Sequence, residues 1–530
     1  MSPLIGATVR TLLLLVAALL VGRVMLKRAA RDEIRARPWL APLLLGGIGA
    51  ALLVVAWSES LSDPAPWAIP VAASVFTAMA ALRARPTFGA RRGLPPGSLS
   101  LTTSLDAIAQ EDFYARSARQ LGPIFKMAQF HRPVVCVVDL PMGLEVLQKQ
   151  EQRLAPPRLP FGRLSPGNYI EFMHDEQHAR YRHILQSALS GRVVAECRDG
   201  VAAVMGEVLD AMVARDTGQG ADPQEFLERI AVASMLRVMF GIPIDDSRVD
   251  EMQRLFNELG SPRAFSERRP EARVATFSRL TRCFREVGEA LSVQLSRGEQ
   301  PARSVLRELL RSDPAHLDDE ILMGNLVLMV HVTRSNVHGL LGWILKEYFD
   351  HPDAARDLRA AARPGADGRS RIEAMATSFV NETLRMHQSE YFYREVVKEL
   401  TIGGYRIPKG WLMRICVREC HDNPAVFPNP RAFMPERFDA RQYDKSEYCP
   451  FSDGAHSCFG AGLAVMIART MVMALALGFE GRVVADGPVE RAGNRHWSHW
   501  RPSRAFRVAL SRHRDGAPRA GEAASTPVLL

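Results

Sequence analysis

The residue best placed for chemistry is Cys458. It stands in Pro450-Phe451-Ser452-Asp453-Gly454-Ala455-His456-Ser457-Cys458-Phe459-Gly460-Ala461-Gly462, just ahead of the apolar, Ala- and Met-rich run Leu463 to Leu477. That run predicts a buried helix. A cysteine at the amino end of a helix faces the positive end of the dipole and free backbone N–H groups, which stabilise a thiolate, and a thiolate ligates metals. Gly454 and Gly460 allow positive φ and let a flat ligand approach the backbone closely. Taken alone, however, a glycine-flanked cysteine is usually a small buried hydrophobe.

Other residues at telling spacing surround this loop in the chain order. Glu382 and Arg385, within the helical segment Ile372 to His387, sit at i and i+3 and share one face. Such a pair on its own reads as a solvated surface pair. Pro435-Glu436-Arg437-Phe438 follows, and upstream His178-Ala179-Arg180-Tyr181-Arg182 predicts a helix turn with basic groups at its first and fifth positions. The plain reading of that turn is an exposed basic face.

In combination these patterns are specific. Phe451-x-x-Gly454-x-His456-x-Cys458-x-Gly460, preceded by Glu382-x-x-Arg385 and Pro435-Glu436-Arg437-Phe438, resembles the cytochrome P450 superfamily, with His456 where many members carry Arg, as in a number of bacterial members. Gly403-Gly404-Tyr405-Arg406-Ile407-Pro408-Lys409-Gly410 looks like the family's hairpin turn, and His421-Asp422-Asn423-Pro424 with Phe427-Pro428 like its next loop. The resemblance implies a mainly α fold with small β-sheets, the cytochrome P450 fold. It implies haem b held through the Cys458 thiolate, with Phe451 and Gly460 lining the cofactor. His178, Arg182, Arg394 and His456 would give charge-assisted hydrogen bonds to the haem carboxylates. Arg437 would join Glu382 and Arg385 in a buried structural network behind the thiolate loop, a place where a planar guanidinium serves better than an ammonium.

The apolar stretch Ile321 to Tyr348, ending at His351-Pro352, predicts one long helix. Set against the family's oxygen-activating helix, Val332-Thr333-Arg334-Ser335-Asn336-Val337 stands where most members show Ala-Gly-x-acid-Thr-Thr. Ser335 replaces the acid and Asn336 the alcohol, while Arg334 and His331 add charge or proton capacity. A different register makes Thr333 the functional alcohol. An amide holds water or a peroxide oxygen by hydrogen bonds, yet relays a proton less readily than a hydroxyl.

Three activities follow from these residues. The first is a monooxygenase acting with dioxygen on a small, mainly apolar organic substrate. No flavin or nicotinamide fingerprint occurs in the chain, so the electrons would come from a separate ferredoxin, flavodoxin or reductase. The second is a peroxide-consuming peroxygenase, isomerase or dehydratase of the same fold. The third is a non-catalytic haem sensor or electron carrier, which needs a second axial ligand that the sequence does not offer. The expected substrate contacts are the long helix, Ser389 to Tyr393, and the turn Trp497 to Trp500; core packing accounts equally well for Tyr391, Tyr393 and the tryptophans.

The elements that must position these residues need a large core, which 530 residues of 47% hydrophobic content supply. A charged fraction of 24% with 38 Gly and 34 Pro is ordinary for a folded chain. The net charge of +9 is spread along the sequence without aromatic interleaving, which argues against nucleic acid. Seven scattered cysteines, an odd number, make no disulfide framework and point to a reducing compartment. Cys416 and Cys420 have zinc-like spacing, but nothing completes four ligands.

Three apolar stretches, Leu4 to Met25, Trp39 to Trp57 and Ala65 to Leu82, are each near the length of a transmembrane helix. Lys27, Arg28, Arg31, Arg35 and Arg37 follow the first; Glu59 and Asp63 follow the second; Arg83, Arg85, Arg91 and Arg92 follow the third. Basic loops stay cytoplasmic, so the amino terminus and second loop face outward and the catalytic body lies in the cytoplasm. A single anchor with one interfacial hairpin is the alternative. The expected organisation is a membrane region over 1–85, a Pro/Gly hinge over 86–101, a haem domain over 102–510 and a disordered tail over 511–530.

Overall fold

The computed structural model describes residues 93–513, apart from 130–131, 158–168, 217, 261–269, 362–367, 389 and 492–498. The three apolar stretches and the tail from residue 514 lie outside the described residues. Contacts divide the chain into two units, one containing the described residues up to Pro157 together with Tyr391–Cys420, the other Arg158–Glu390 with His421 onward.

The first unit is built on a five-stranded sheet. Helices α1 (Leu101–Ala109) and α2 (Phe113–Leu121) precede strands β1 (Ile124–Gln129) and β2 (Arg132–Val137), and α3 (Leu140–Lys149) and β3 (Leu154–Ala155) follow. After the other unit intervenes, the chain returns as β4 (Phe392–Val396), β5 (Leu400–Ile402), β6 (Tyr405–Ile407) and β7 (Leu412–Ile415). The sheet order is β1-β2-β7-β4-β3, with β2 and β7 parallel in the register Val134↔Leu412 and the other pairs antiparallel. Strands β2 and β7 are central, and Val134–Val137 and Leu412–Ile415 read as continuous apolar runs interrupted only by Arg414 and Cys136, as a strand covered on both faces should. Strands β5 and β6 form the hairpin, and its turn residues Gly403 and Gly404 have φ of 53° and 81°, which a two-residue hairpin of the mirror-image type requires.

The second unit is helical. Its helices are α4 (Asp175–Ala188), α5 (Gly191–Glu196), α6 (Arg198–Arg215), α7 (Pro223–Phe240), α8 (Arg248–Gly260), α9 (Pro270–Ser296), α10 (Val305–Ser312), α11 (Glu320–Asp350), α12 (Pro352–Ala361) and α13 (Gly368–Thr383). A π-helical turn, Leu384–Gln388, extends α13. Short helix α14 (Val417–His421) carries the chain back from the sheet unit, and α15 (Arg437–Ala440) and α16 (Ala461–Gly478) complete the set. Two small sheets, β8 (Phe479–Ala485) with β11 (Arg507–Arg512) and β9 (Glu490–Arg491) with β10 (Trp500–Arg501), lie in this unit.

The long helix α11 starts where Asp319 accepts from the Leu322 N–H at 2.9 Å and ends before Pro352, which cannot continue it. It packs on α7, α9 and α16, and Leu322, Leu326, Val327, Val330, Leu341, Ile344 and Leu345 are fully buried. Such a helix is apolar nearly all round because neighbours cover it on most sides. Helix α16 is the one described helix long and apolar enough to cross a membrane, and it sits in this core, with Ile467, Ala468, Met471, Val472 and Leu475 at zero exposure. All seven cysteines are free thiols.

Candidate active site

The loop before α16 is closed by its own backbone. The Cys458 N–H donates to the Phe451 carbonyl at 2.9 Å and the Ser457 N–H to the Gly454 carbonyl at 3.0 Å. Two residues take left-handed backbone to make this possible, Gly454 at φ 80° and Ser452 at φ 63°. A Cβ at Gly454 would meet nothing within 4 Å, so the glycine is there for its torsion rather than for space. Gly460 caps α16, its N–H donates toward Cys458 Sγ, and a Cβ there would lie 3.9 Å from that sulfur.

Cys458 is open to solvent on one side. Protein atoms crowd the sulfur elsewhere, and this desolvation pushes the thiol pKa up; the Gly460 N–H and Arg182 pull the other way, Glu171 with desolvation. Nine residues upstream in the chain, Cys449 is 3% exposed, its N–H donates to His421 Nε2 at 3.1 Å, and burial with help from Asp453 pushes its thiol up to about 12.

Helix α4 brings its basic residues to the loop. Arg182 donates through Nη1 to the Ser457 carbonyl at 2.9 Å and through Nη2 to Ser457 Oγ at 3.1 Å. The His178 ring stacks on the His456 ring, with centroids 4.0 Å apart and planes 27° from parallel. The structure therefore brings together Cys458, Phe451, Gly460, His456, His178 and Arg182. Arg394 belongs to the sheet unit, in β4, where Nη1 donates to the Tyr393 carbonyl at 2.8 Å.

Glu382, Arg385 and Arg437 meet in the core of the helical unit. Arg385 grips Glu382 with Nε to Oε2 at 2.7 Å and Nη2 to Oε1 at 2.8 Å, and Arg437 Nε reaches the same Oε1 at 3.1 Å. The remaining donors go to carbonyls: Arg385 to His421 at 3.0 Å and Pro430 at 2.7 Å, Arg437 to Pro428 at 3.1 Å. One carboxylate and two guanidinium groups thus pin the segment 421–437, a use of charge that survives burial because its donors and acceptors are matched.

In the middle of α11, Ser335 and Asn336 are exposed, whereas elsewhere along this helix exposure is confined to its two ends, Glu320 and Asp350. Val332, Thr333 and Arg334 are half-buried. The expectation of added charge and proton capacity at Arg334 and His331 needs correction. Arg334 Nη1 donates to Asn257 Oδ1 at 2.6 Å on α8 and lies 3.2 Å from Glu228 Oε1 on α7, so its charge is held by an ion pair. Burial, then the charges of Arg334 and Arg273, lower the His331 pKa to about 3, which leaves a neutral imidazole near pH 7.

Several aromatic residues named as substrate contacts are packed. Tyr393 is buried in the sheet unit, with its hydroxyl 2.5 Å from Gln129 Oε1 and accepting from Arg414 Nη1 at 2.8 Å. In the helical unit the Trp500 carbonyl accepts from Trp343 Nε1 at 2.9 Å. Ser389 and Trp497 lie outside the described residues.

Two clusters escaped sequence reasoning. Glu347 is held between His387 Nε2 at 2.7 Å and His351 Nδ1 at 3.1 Å, with His387 stacked on Trp343 at 3.8 Å; only the i,i+4 spacing of Glu347 and His351 hinted at it. In the sheet unit, Arg414 lies between the rings of Tyr114 at 3.9 Å and Tyr391 at 4.0 Å. Its signal was a lone charge inside an apolar strand.

The donor set fits haem. A soft sulfur ligand stands at the mouth of a loop free of side-chain bulk at Gly454 and Gly460, and the neighbouring Arg182, His178 and His456 match an iron-bearing macrocycle with two carboxylates. No group of three or more His, Cys, Asp or Glu side chains able to hold a bare metal ion occurs among the described residues.

Fold and site together define a haem-thiolate enzyme. The family model for Cytochrome P450 matches residues 99–504, and the chain belongs to that family, as a monooxygenase by class, carrying haem through a cysteine thiolate. Among curated proteins it is similar to abscisic acid 8'-hydroxylase 3 of Oryza sativa, 26% identical over 425 residues, 74% of this chain and 82% of the relative. It is also similar to cyclooctat-9-en-7-ol 5-monooxygenase of Streptomyces melanosporofaciens, 22% identical over 332 residues, 58% of this chain and 72% of the relative. The retinoic acid-bound cyanobacterial CYP120A1 shares the fold with a TM-score of 0.63 at 19% identity, over 77% of this chain and 96% of that structure.

Proposed function

We propose that the Cys458 thiolate would hold the haem iron and that the enzyme inserts oxygen into a small, mainly apolar organic substrate, using dioxygen and electrons from a separate ferredoxin, flavodoxin or reductase. The observation that carries this is the open Cys458 thiol at the head of α16, flanked by Arg182, His178 and His456. Cys449, enclosed and with its thiol pushed up to about 12, is the poorer ligand. Haem, when bound, supplies the activation of dioxygen, with the thiolate favouring cleavage of the O–O bond.

The chain's own residues supply orientation and protons. Arg182, His178 and His456 hold the haem carboxylates. Ser335 Oγ, a hydroxyl at the open part of α11, moves a proton to the site, while Asn336 holds a water beside it through its amide. Thr333, three positions before Asn336 and so on the same side of α11, is the alternative hydroxyl. The names of the hydroxylase and monooxygenase relatives support oxygen insertion. The amino-terminal apolar stretches tether the enzyme to a membrane, with the catalytic body in the cytoplasm.

A second reading is peroxide-driven chemistry, favoured by one observation: the exposed pair on α11 is Ser335 and Asn336, with no carboxylic acid. The test is a metabolite comparison between cells with and without the gene, followed by turnover of the identified substrate under isotopically labelled dioxygen. Label in the product with a reductase present supports the first reading. Turnover with hydrogen peroxide alone, and none with reductase and dioxygen, replaces it with the second.

A further inference from the structure

The thiolate loop has its root at Cys449, and a histidine side chain holds that root. Although the two residues stand 28 positions apart, the Cys449 N–H donates to His421 Nε2 at 3.1 Å. His421 closes α14 and is fully buried, and Cys449 is 3% exposed. A buried backbone donor without an acceptor is costly, so this bond lets the chain bury Cys449. Pro450, next in the chain, has no N–H to offer, which makes Cys449 the nearest upstream donor on this arm of the loop.

An imidazole accepts at Nε2 only while that nitrogen carries no proton, which places the proton on Nδ1. Burial, then the charge of Arg385, lowers the His421 pKa to about 3, so the ring is neutral near pH 7 and remains an acceptor. Its Nδ1 is buried without a hydrogen-bond partner among the described residues, and the bond to Cys449 is the one hydrogen bond the ring makes among them. The ring is packed by Tyr448, 5.1 Å away and 35° from parallel, and by Phe427 at 6.0 Å and 72°.

His421 faces two ways. Its carbonyl accepts from Arg385 Nη1 at 3.0 Å, and Arg385 is locked to Glu382. Its ring reaches Cys449, two residues before Phe451, whose carbonyl accepts from the Cys458 N–H at 2.9 Å. One residue thus carries the position of the buried Glu382–Arg385 pair to the backbone that holds Cys458. A second tie runs alongside it, since the Tyr448 hydroxyl donates to the Asn381 carbonyl on α13 at 3.0 Å.

We propose that His421 is a positioning residue for the thiolate ligand: through its Nε2 acceptor it fixes Cys449 and Phe451, and so holds the Cys458 backbone in the position that presents the sulfur. The inference rests on Cys458 as the haem ligand and adds a side chain outside the cysteine loop on which that ligand depends. Position 421 then requires an acceptor at this reach rather than a histidine as such. Gln brings a carbonyl oxygen close to where Nε2 stands; Phe keeps a packed ring but strands the Cys449 N–H.

The test compares the parent, H421F and H421Q as full-length holoproteins. Reduced carbon monoxide spectra read the share of protein with thiolate on iron, hydrogen–deuterium exchange over 449–458 reads the loop, and urea midpoints read the fold. In H421F the ratio of non-thiolate to thiolate band is expected to rise about 5-fold or more, the scale of one stranded buried donor, with faster exchange over 449–458. H421Q is expected to restore both toward the parent. H421N, polar but too short to reach the Cys449 N–H, repeats the comparison with H421Q, and the H421F result is expected in it. A parent-like band ratio and exchange in H421F and H421N, or an equal loss in H421F and H421Q, overturns the role. C458A run alongside reads the ligand itself: a thiolate band that survives in C458A overturns the ligand assignment, whereas a band lost in C458A and unchanged in H421F overturns only the role of His421.

Discussion

Arg385 and Glu382 are joined by two hydrogen bonds, 2.7 Å and 2.8 Å long, at a place where the two side chains are 1% and 0% exposed. A pair so fully desolvated is worth keeping only as a complete set, because removing one partner strands the other charge. E382Q is therefore expected to cost about 3–5 kcal/mol, read as a lower urea midpoint with an unchanged slope. R385K is expected to cost nearly as much, since an ammonium cannot serve Glu382 and the two carbonyls together.

The Glu347 cluster gives stability a defined pH dependence. His351 and His387 hold the Glu347 carboxyl at about 2, against an ordinary value of 4.5 and despite burial, which alone would raise it. A depressed folded pKa contributes stability that is present above the unfolded value and lost as pH falls through the folded one. The contribution, on the order of 3 kcal/mol, fades between 4.5 and about 2. His351 moves oppositely: its hydrogen bond to Glu347 raises its pKa, so its contribution is present below the ordinary value of 6.5 and is lost as pH rises through the raised one. Urea denaturation of E347Q beside the parent protein, from pH 3 to 9, should show the largest gap in the acidic to neutral range and a smaller one at both extremes.

Arg182 ties α4 to the thiolate loop and, in this account, to a haem carboxylate. R182L should weaken haem retention by about 10-fold or more, measured as transfer of haem to apomyoglobin, while the apoprotein unfolds at nearly the same urea concentration. Equal haem retention in R182L and the parent would remove Arg182 from the cofactor site.

Asn336 and Ser335 are expected to split the catalytic burden. S335A should lower product formation by about 10²-fold or more, the usual scale for losing a positioned proton donor. N336A should instead release more peroxide for each electron consumed while still turning over. A matched loss in both variants, with no change in peroxide release, contradicts the division of roles.

Much of the site was legible because its chemistry is local in the chain. The Cys458 loop carries its own torsional demands at Gly454, and α16 follows directly. The long helix α11 was legible from an apolar stretch that ends at a proline. Glu382 and Arg385 shared a face by spacing, but their burial was not visible, since the carbonyls of His421 and Pro430 that complete them come from far along the chain. Arg334 showed the opposite failure. Its neighbours in sequence are active-site candidates, yet Glu228 and Asn257, which hold its side chain, come from other helices and left no local trace. Arg414 showed only as a lone charge in an apolar strand, and its tyrosine cage was invisible for the same reason, being assembled by α2, β4, β7 and Tyr391 just before β4.

Cys458, and not Cys449, is expected to bond to the haem iron. The direct measurement is the absorption spectrum of the reduced carbon monoxide complex of the parent protein, C458A and C449A, each with its haem content. The thiolate-specific band is expected in the parent and in C449A, and its loss in C458A. A thiolate-specific band that persists in C458A and disappears in C449A would contradict it.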